Sequence, residues 1–236
     1  MRYAAILILL AAPILGEGGG GDGPVTEWAK LKMEHAAAAK AFWEAFEAAP
    51  SDEARDALEH PAAEFLPRFK EFARRHKGHE VTIEAYVEIL MGQHEDSAAM
   101  TEARAALLAD HVESAALVPA LWVLTEDEQA LRTILEKSPH RSVRGPAQLL
   151  LGVLLKESER PGGLAALRKA HSEYADVPLW AGRTVGDKAA AEIFELEKLQ
   201  VGLTAPEIEG KDQDGVLLRL SEYRGKVVLL DFWGDW

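Results

Sequence analysis

Histidine and carboxylate side chains at short spacing are the first groups in this chain that could do chemistry. His76 and His79 stand three residues apart, and Glu80 follows directly. Two histidines at this spacing share one face of a helix and could hold a metal ion. However, Gly78 lies between them and basic residues surround them, and local positive charge opposes a bound cation. We therefore favour a solvated basic helix end over a metal site.

A second group of such residues, His94, Glu95 and Asp96, lacks the H-E-x-x-H spacing because Ala98 stands where the second histidine is needed. The sequence also contains no dinucleotide-binding fingerprint, phosphate-binding P-loop or G-x-S-x-G serine motif. It contains no cysteine, so this polypeptide has no disulfide, thiolate nucleophile or cysteine metal ligand. We expect no catalytic residue, no cofactor and no metal in the chain as it stands.

The composition restricts the class of protein and of partner. The chain has 236 residues, 48% hydrophobic and 28% charged, which is typical of a globular protein of one or two domains. Its 39 acidic residues outnumber the 26 basic ones and give a net charge of −13. Because phosphate binding depends on lysine and arginine, we expect no nucleic-acid partner.

The amino terminus is typical of an export signal. Arg2 precedes an apolar run of 12 residues, 4–15, that would span about 18 Å as a helix, short of the ~30 Å bilayer core. We predict a signal peptide over 1–16 and a glycine-rich linker over 17–25, and hence a location in the periplasm or cell envelope of a bacterium. After cleavage we expect no stable membrane span. An uncleaved signal that anchors the chain in the membrane is the alternative.

Residues 26–200 are predicted to form a helical domain, because apolar residues recur there at spacings of three and four. We expect an irregular helical bundle or helical hairpins like tetratricopeptide repeats, although no 34-residue repeat is evident. Such a domain usually presents a surface to a protein partner. The expected helices begin at Thr26 and at Ser51 (interrupted at Pro61 and Pro67) and cover 81–91, 97–112, 115–124, 125–137, 143–157, 164–174 and 187–199.

Local signals refine this expectation. Thr125 and Glu128 match a capping box at the start of one helix. The segment 160–163, Arg-Pro-Gly-Gly, is expected to separate the two helices of a pair. Five aromatic residues occur at helical spacings, and we expect them in the core rather than in a ligand cage: Trp28, Phe42, Trp43, Phe46 and Trp122.

From residue 201 the pattern changes to short strand-like runs. An Asp-x-Asp-Gly sequence that ends at Gly215 predicts a turn between two of them. Leu220 and Ser221 predict a short helical turn, which leads to the aliphatic run 227–230. Such a continuous apolar run is typical of a strand covered on both faces.

This last segment, 201–236, resembles the start of a thioredoxin-like domain of the TlpA/ResA/peroxiredoxin (AhpC/TSA) type. The motifs that carry the resemblance are G-x-x-A-P from Gly202 to Pro206, D-x-D-G ending at Gly215, L-S-x-Y-R-G-K ending at Gly225 and Lys226, and V-V-L-L-D-F-W-x-x-W over 227–236. The resemblance implies a mainly α protein that ends in the incomplete β-rich start of a thioredoxin-like α/β domain. It also implies an exported thiol–disulfide oxidoreductase, or a peroxiredoxin-like protein, whose full-length form acts on protein thiols or disulfides.

In this family the next residues are Cys-x-x-Cys. The resemblance implies that Asp231 is a buried carboxylate that helps to move protons for the second cysteine, and that Trp233 and Trp236 flank the thiols. Without cysteine the chain should be inactive by itself, so we expect it to be the N-terminal part of a longer protein. An unpaired apolar strand promotes aggregation, which supports this interpretation. The alternative is a helical protein-interaction module with a vestigial thioredoxin-like tail.

Overall fold

A computed structural model describes residues 23–92 and 97–231. These residues form a mainly helical protein with one small antiparallel sheet near the carboxyl end, so the prediction of a mainly α fold is confirmed. The expected signal peptide and most of the linker lie outside the described residues. In chain order the elements are α1 (Pro24–Ala48), α2 (Asp52–Asp56), α3 (Ala62–Arg75), α4 (Thr82–Met91), α5 (Ser97–His111), a first 3₁₀ segment (Ala115–Val123), α6 (Glu128–Lys137), α7 (Arg141–Ser158), α8 (Arg160–Tyr174), α9 (Val185–Lys198), β1 (Glu209–Lys211), β2 (Leu217–Arg219) and a second 3₁₀ segment (Leu220–Tyr223).

The helices pack around two apolar cores that share α7. The larger core contains residues of α1, of every helix from α3 through α7 and of the first 3₁₀ segment. Its fully buried side chains include Phe72, Leu107 and Leu121. The smaller core joins α7 to α8 and α9 around Leu149 and Leu167. Most helix–helix packing is between helices that follow one another in the chain, such as α7 with α8 and α8 with α9.

Side-chain caps begin α2, α6 and α9, but two of the expected caps are wrong. α1 begins at Pro24, whose fixed φ suits the first helical position, so Thr26 lies inside the helix rather than at its cap. α6 begins after Asp127, whose carboxylate accepts from the Ala130 N–H at 2.9 Å, so Thr125 is not the capping residue.

Two expected breaks are also wrong. Pro67 lies inside α3 without interrupting it, because the buried side chains of Phe65, Phe69 and Phe72 hold the helix against the core. The Arg-Pro-Gly-Gly segment is the first turn of α8, and Glu159 alone separates α8 from α7. Residues 115–123 form a 3₁₀ rather than an α-helix.

The small sheet pairs β1 with β2 in antiparallel register, with Gly210 opposite Leu218. Both strands are exposed, and neither core includes a residue beyond Leu196. Residues 227–230 do not form the expected strand, and no described strand pairs with them. An isolated two-stranded hairpin is marginal in water, so the segment after residue 200 is an appendage to the helical domain.

Candidate functional sites

The segment after residue 200 forms the turns that its motifs predict. Asp212 Oδ1 accepts from the Asp214 and Val216 N–H groups at 3.0 and 2.9 Å, which closes the Asp-x-Asp-Gly turn. Gly215 has φ +79°, a left-handed conformation that disfavours side chains with a Cβ. The predicted turn and the predicted helical turn at Leu220 and Ser221 are therefore confirmed.

The other motif residues of this segment have structural positions. Glu207 Oε1 accepts from the Ser221 N–H at 2.9 Å, and hydrogen bonding from Ser221 lowers the pKa of this carboxyl. The bond ties the half-buried Pro206 region to the second 3₁₀ segment. Lys226 Nζ lies 5.6 Å from the centre of the Tyr223 ring. Like Gly215, the motif glycines 202 and 225 have positive φ.

Of the residues that the resemblance places beside the redox centre, Asp231 lies in the described part of the chain. Asp231 is exposed, as are all four aliphatic residues before it, of which Val227 and Leu229 are the most exposed. Trp233 and Trp236 lie outside the described residues. The described part of the segment thus supplies turns and exposed apolar side chains, and no buried carboxylate.

His76, His79 and Glu80 point to three separate partners. His76 Nε2 lies 2.8 Å from Glu27 Oε2 on α1. The His79 ring accepts from the Val81 N–H at 3.2 Å, and Glu80 accepts from the Ser114 hydroxyl at 2.6 Å. Within 23–92 and 97–231, no group of three or more metal-ligating side chains is arranged around an ion position. His94, Glu95 and Asp96 lie outside the described residues.

A histidine–carboxylate pair between α1 and α4 is a site that the sequence did not indicate. His35 Nδ1 lies 3.8 Å from Glu88 Oε2, and the His35 ring packs against Phe65 and Phe69 with centroids 5.0 and 5.1 Å away. Burial lowers the pKa of His35 and raises the pKa of Glu88. Both shifts favour the neutral forms, because burial penalises the charged ones.

A second carboxylate, that of Glu84, lies one turn before Glu88 on α4 and accepts hydrogen bonds from two side chains of α1. Glu84 Oε2 accepts from the Trp28 indole N–H at 2.9 Å and from the Lys32 ammonium at 2.7 Å. Trp28 is 2% exposed and packs on Phe69 and Phe72, so its expected core position is confirmed. No local spacing connects α1 with α4, and only the tertiary fold brings these groups together.

A buried polar pair lies on the other side of α4. Thr82 is fully buried and donates its hydroxyl proton to the His79 carbonyl at 2.8 Å. The hydroxyl oxygen therefore accepts from His111 Nε2, also 2.8 Å away, which fixes the proton of the neutral ring on Nε2. Burial lowers the pKa of His111. Because the pair is closed to solvent, its role is structural.

An exposed pair of tryptophans joins the first 3₁₀ segment to the loop between α8 and α9. The rings of Trp122 and Trp180 meet edge to face with centroids 4.4 Å apart, and they are 39% and 50% exposed. Trp180 precedes a tight turn in which Ala181 and Gly182 both have positive φ. The expectation that Trp122 and Trp43 lie in the core is therefore wrong: both side chains are largely exposed.

Comparison with known proteins assigns no family to this chain. No protein-family model matches it, and no curated protein or solved structure matches it significantly. None of the helices in the described parts of the chain has the length and apolar character needed to cross a membrane.

Proposed function

We propose that residues 201–236 are the opening of a thioredoxin-like domain, and that the chain is the N-terminal part of an exported thiol–disulfide oxidoreductase or peroxiredoxin-like protein. The observation that carries the proposal is the order of motifs from Gly202 to Trp236, read together with the turns that the structure shows at Gly215 and at 220–223. In this proposal the helical domain is an N-terminal extension, and the redox chemistry belongs to a Cys-x-x-Cys segment that follows.

Two features of the described residues support this proposal. The hairpin of β1 and β2 pairs with no other described strand at either edge, and the aliphatic run 227–230, further along the chain, is exposed. A strand run of this kind is stable when neighbouring strands pair with it and helices cover both of its faces. A downstream part of a thioredoxin-like domain would provide that cover.

The coding DNA beyond the Trp236 codon provides the first test. We expect it to encode Cys-x-x-Cys and about 100 further residues, enough for a domain of ordinary size. The extended protein should then reduce or oxidise the disulfides of insulin, and changing its first cysteine to serine should abolish this. The 236-residue chain should show no activity, because disulfide exchange requires a thiolate.

Either of two results would contradict the proposal. One is a stop codon directly after Trp236 in an intact genome, and the other is turnover of a dithiol or peroxide by the cysteine-free chain at a comparable rate. Export is tested separately by fusing residues 1–24 to a reporter that works only outside the cytoplasm. An inactive reporter would contradict the signal-peptide prediction.

A helical protein-interaction module is the second candidate function, and the Trp122–Trp180 pair favours it. Tryptophan is enriched at the centres of protein interfaces relative to the rest of the surface. Ala181, next to Trp180, has an unfavourable φ of +55°, and such strain is often found at functional sites.

A test of this second function needs a purified partner. Proteins captured on the wild-type chain would be purified and titrated against wild type, Trp180→Ala and Phe194→Ala, where Phe194 is an exposed aromatic residue on α9. We expect Trp180→Ala to weaken binding at least tenfold and Phe194→Ala to leave it unchanged. Equal affinity of all three proteins would remove the tryptophan pair from the interface.

A further inference from the structure

α1 is attached to the rest of the protein by unusually little buried surface. Of its 25 residues, only Trp28 and Leu31 are buried. By contrast, α7 buries ten of its 18 residues. The hydrophobic free energy that holds α1 in place is correspondingly small, since it scales with the apolar area removed from water.

Charged contacts add to this attachment. Glu27 pairs with Arg75 and His76, Lys32 with Glu84 at 2.7 Å, and Glu34 with Arg68. These pairs are partly exposed, and each exposed ion pair contributes at most about 1 kcal/mol. A modest change in charge at this interface can therefore change how firmly α1 is held.

His35 is the titratable group at the centre of this interface. Its ring lies against Phe65 and Phe69 of α3, and its side chain is 23% exposed. A neutral imidazole is compatible with these apolar neighbours, whereas an imidazolium loses part of its hydration there. Among the described residues, the carboxylate that pairs with it is that of Glu88, 3.8 Å away and beyond hydrogen-bonding distance.

We propose that α1 is a pH-sensitive arm, which loosens from α3 and α4 when His35 takes up a proton in its position between Phe65 and Phe69. Loosening would expose the aromatic side chains of α3 that α1 now covers. The proposal concerns the helical domain alone and does not depend on the thioredoxin-like function.

The direction follows from proton linkage. Burial lowers the pKa of His35 from 6.5 in the packed state, and the charge of the neighbouring His60 lowers it further. Released α1 has His35 at its ordinary pKa and binds the proton more readily, so acidification below pH 6.5 favours release. His60 acts in the same direction, because burial lowers its pKa as well, and its ring packs on Phe42 of α1.

Glu88 acts in the opposite direction at lower pH. Burial raises the pKa of Glu88 from 4.5, helped by the charge of Glu84 and opposed by that of Lys32. Its protonation as the pH falls relieves the unfavourable charge of the packed state and so counteracts release. The other charged groups at the interface form ion pairs: Lys32 with Glu84, Glu34 with Arg68, and Glu27 with both Arg75 and His76.

Hydrogen–deuterium exchange of the full chain at pH 7.5 and 5.5 tests the proposal, after correction for the intrinsic pH dependence of exchange. We expect the opening equilibrium constant of peptides from α1 to be several-fold larger at pH 5.5 than at pH 7.5. Proton linkage limits this increase to tenfold per pH unit for each linked proton. Peptides from α8, which no part of this interface contacts, should not change beyond twofold. His171→Gln, which alters an exposed histidine of α8, is the matched control and should behave as wild type.

Variants of the pair separate His35 from every other histidine. His35→Phe keeps an aromatic ring and should remove most of the acid-induced opening of α1, with His60 accounting for the rest, and His35→Gln should do the same if the larger ring does not fit. Glu88→Gln removes the counteracting group and should enlarge the opening at pH 5.5. The proposal is overturned if wild-type α1 opens equally at both pH values, or if the acid-induced opening of both His35 variants equals that of wild type.

Discussion

At the scale of single residues, the buried Thr82–His111 pair is a polar contact on which stability should depend. Thr82→Val keeps the shape of the side chain but removes its hydroxyl, which leaves the His111 N–H and the His79 carbonyl without this partner. An unsatisfied buried polar group costs about 1–3 kcal/mol. We therefore expect the free energy of unfolding to fall by about 2 kcal/mol, as measured by urea denaturation.

Thr101→Val is the control for this prediction. The Thr101 hydroxyl also donates to a carbonyl, that of Ser97 at 2.9 Å, but on the exposed surface of α5, where water can replace the bond. Its loss should change stability by no more than about 0.5 kcal/mol. Equal effects of the two substitutions on the free energy of unfolding would show that the buried Thr82–His111 bond stabilises the protein no more than an exposed one.

The histidine sites also show why residue-level prediction from the sequence was incomplete. Close spacing drew attention to His76 and His79, yet the fold directs their side chains to different elements. The pairs that do form, His35 with Glu88 and Thr82 with His111, join residues of different helices. Sequence spacing describes neighbours on one helix, and it carries no information about which helices will pack together.

At the scale of elements, two glycines set the approach of α7 to α8. A Cβ on Gly163 would lie 2.5 Å from the backbone nitrogen of Lys156, and one on Gly152 would lie 2.7 Å from the side chain of Leu167. A backbone atom cannot rotate away as a side chain can, so Gly163→Ala should push the two helices apart. We expect a loss of about 1–3 kcal/mol, typical of overpacking, in the free energy of unfolding.

The adjacent glycine is a matched control for this substitution. At Gly162 a new Cβ would meet the carboxyl group of Glu159 at 2.9 Å, and that flexible side chain can rotate away. Alanine is also the better helix former, by up to about 1 kcal/mol. Gly162→Ala should therefore be neutral or stabilising. A destabilisation equal to that of Gly163→Ala would contradict the close-packing argument.

The start of α6 provides a test of capping. Asp127→Ala removes the carboxylate that accepts from the Ala130 N–H and that lies 3.2 Å from Arg104, so we expect a loss of about 1 kcal/mol in thermal or chemical denaturation. Thr125→Ala should have little effect. The reverse order would restore the Thr125–Glu128 capping box that the sequence predicts.

Element prediction from the sequence succeeded where periodicity decides and failed where several local signals compete. The helix at 97–111 follows its apolar pattern closely, because Ala99, Ala103 and Leu107 are buried at a spacing of four. At 125–128, however, two capping residues stand close together, and tertiary packing selects Asp127. The Arg-Pro-Gly-Gly segment was read as a break, although proline is favoured in the first turn of a helix.

At the scale of the whole molecule, the helical domain and the C-terminal segment are energetically separate. All buried apolar side chains of the described ranges lie between Trp28 and Leu196, and the hairpin after them is exposed. The change in sequence pattern led us to expect a domain boundary at residue 200. It could not show that the aliphatic run would stay unpaired, because that depends on strands that none of the described residues form.

Deletion of residues 201–236 follows as a whole-molecule prediction. Because the segment contributes nothing to either core, the remaining chain should keep its helical circular dichroism and its cooperative melt, with a midpoint within about 2 °C of the full chain. The deletion also removes exposed aliphatic side chains, among them Val227 and Leu229 at 103% and 92% exposure. Exposed apolar segments next to free strand edges promote association, so the shortened protein should aggregate more slowly on heating.

A charged variant, Val227→Lys with Leu229→Lys in the full chain, should reduce aggregation in the same way without changing the melt. A drop of many degrees on deletion would instead show that the segment packs on the helical domain and stabilises it.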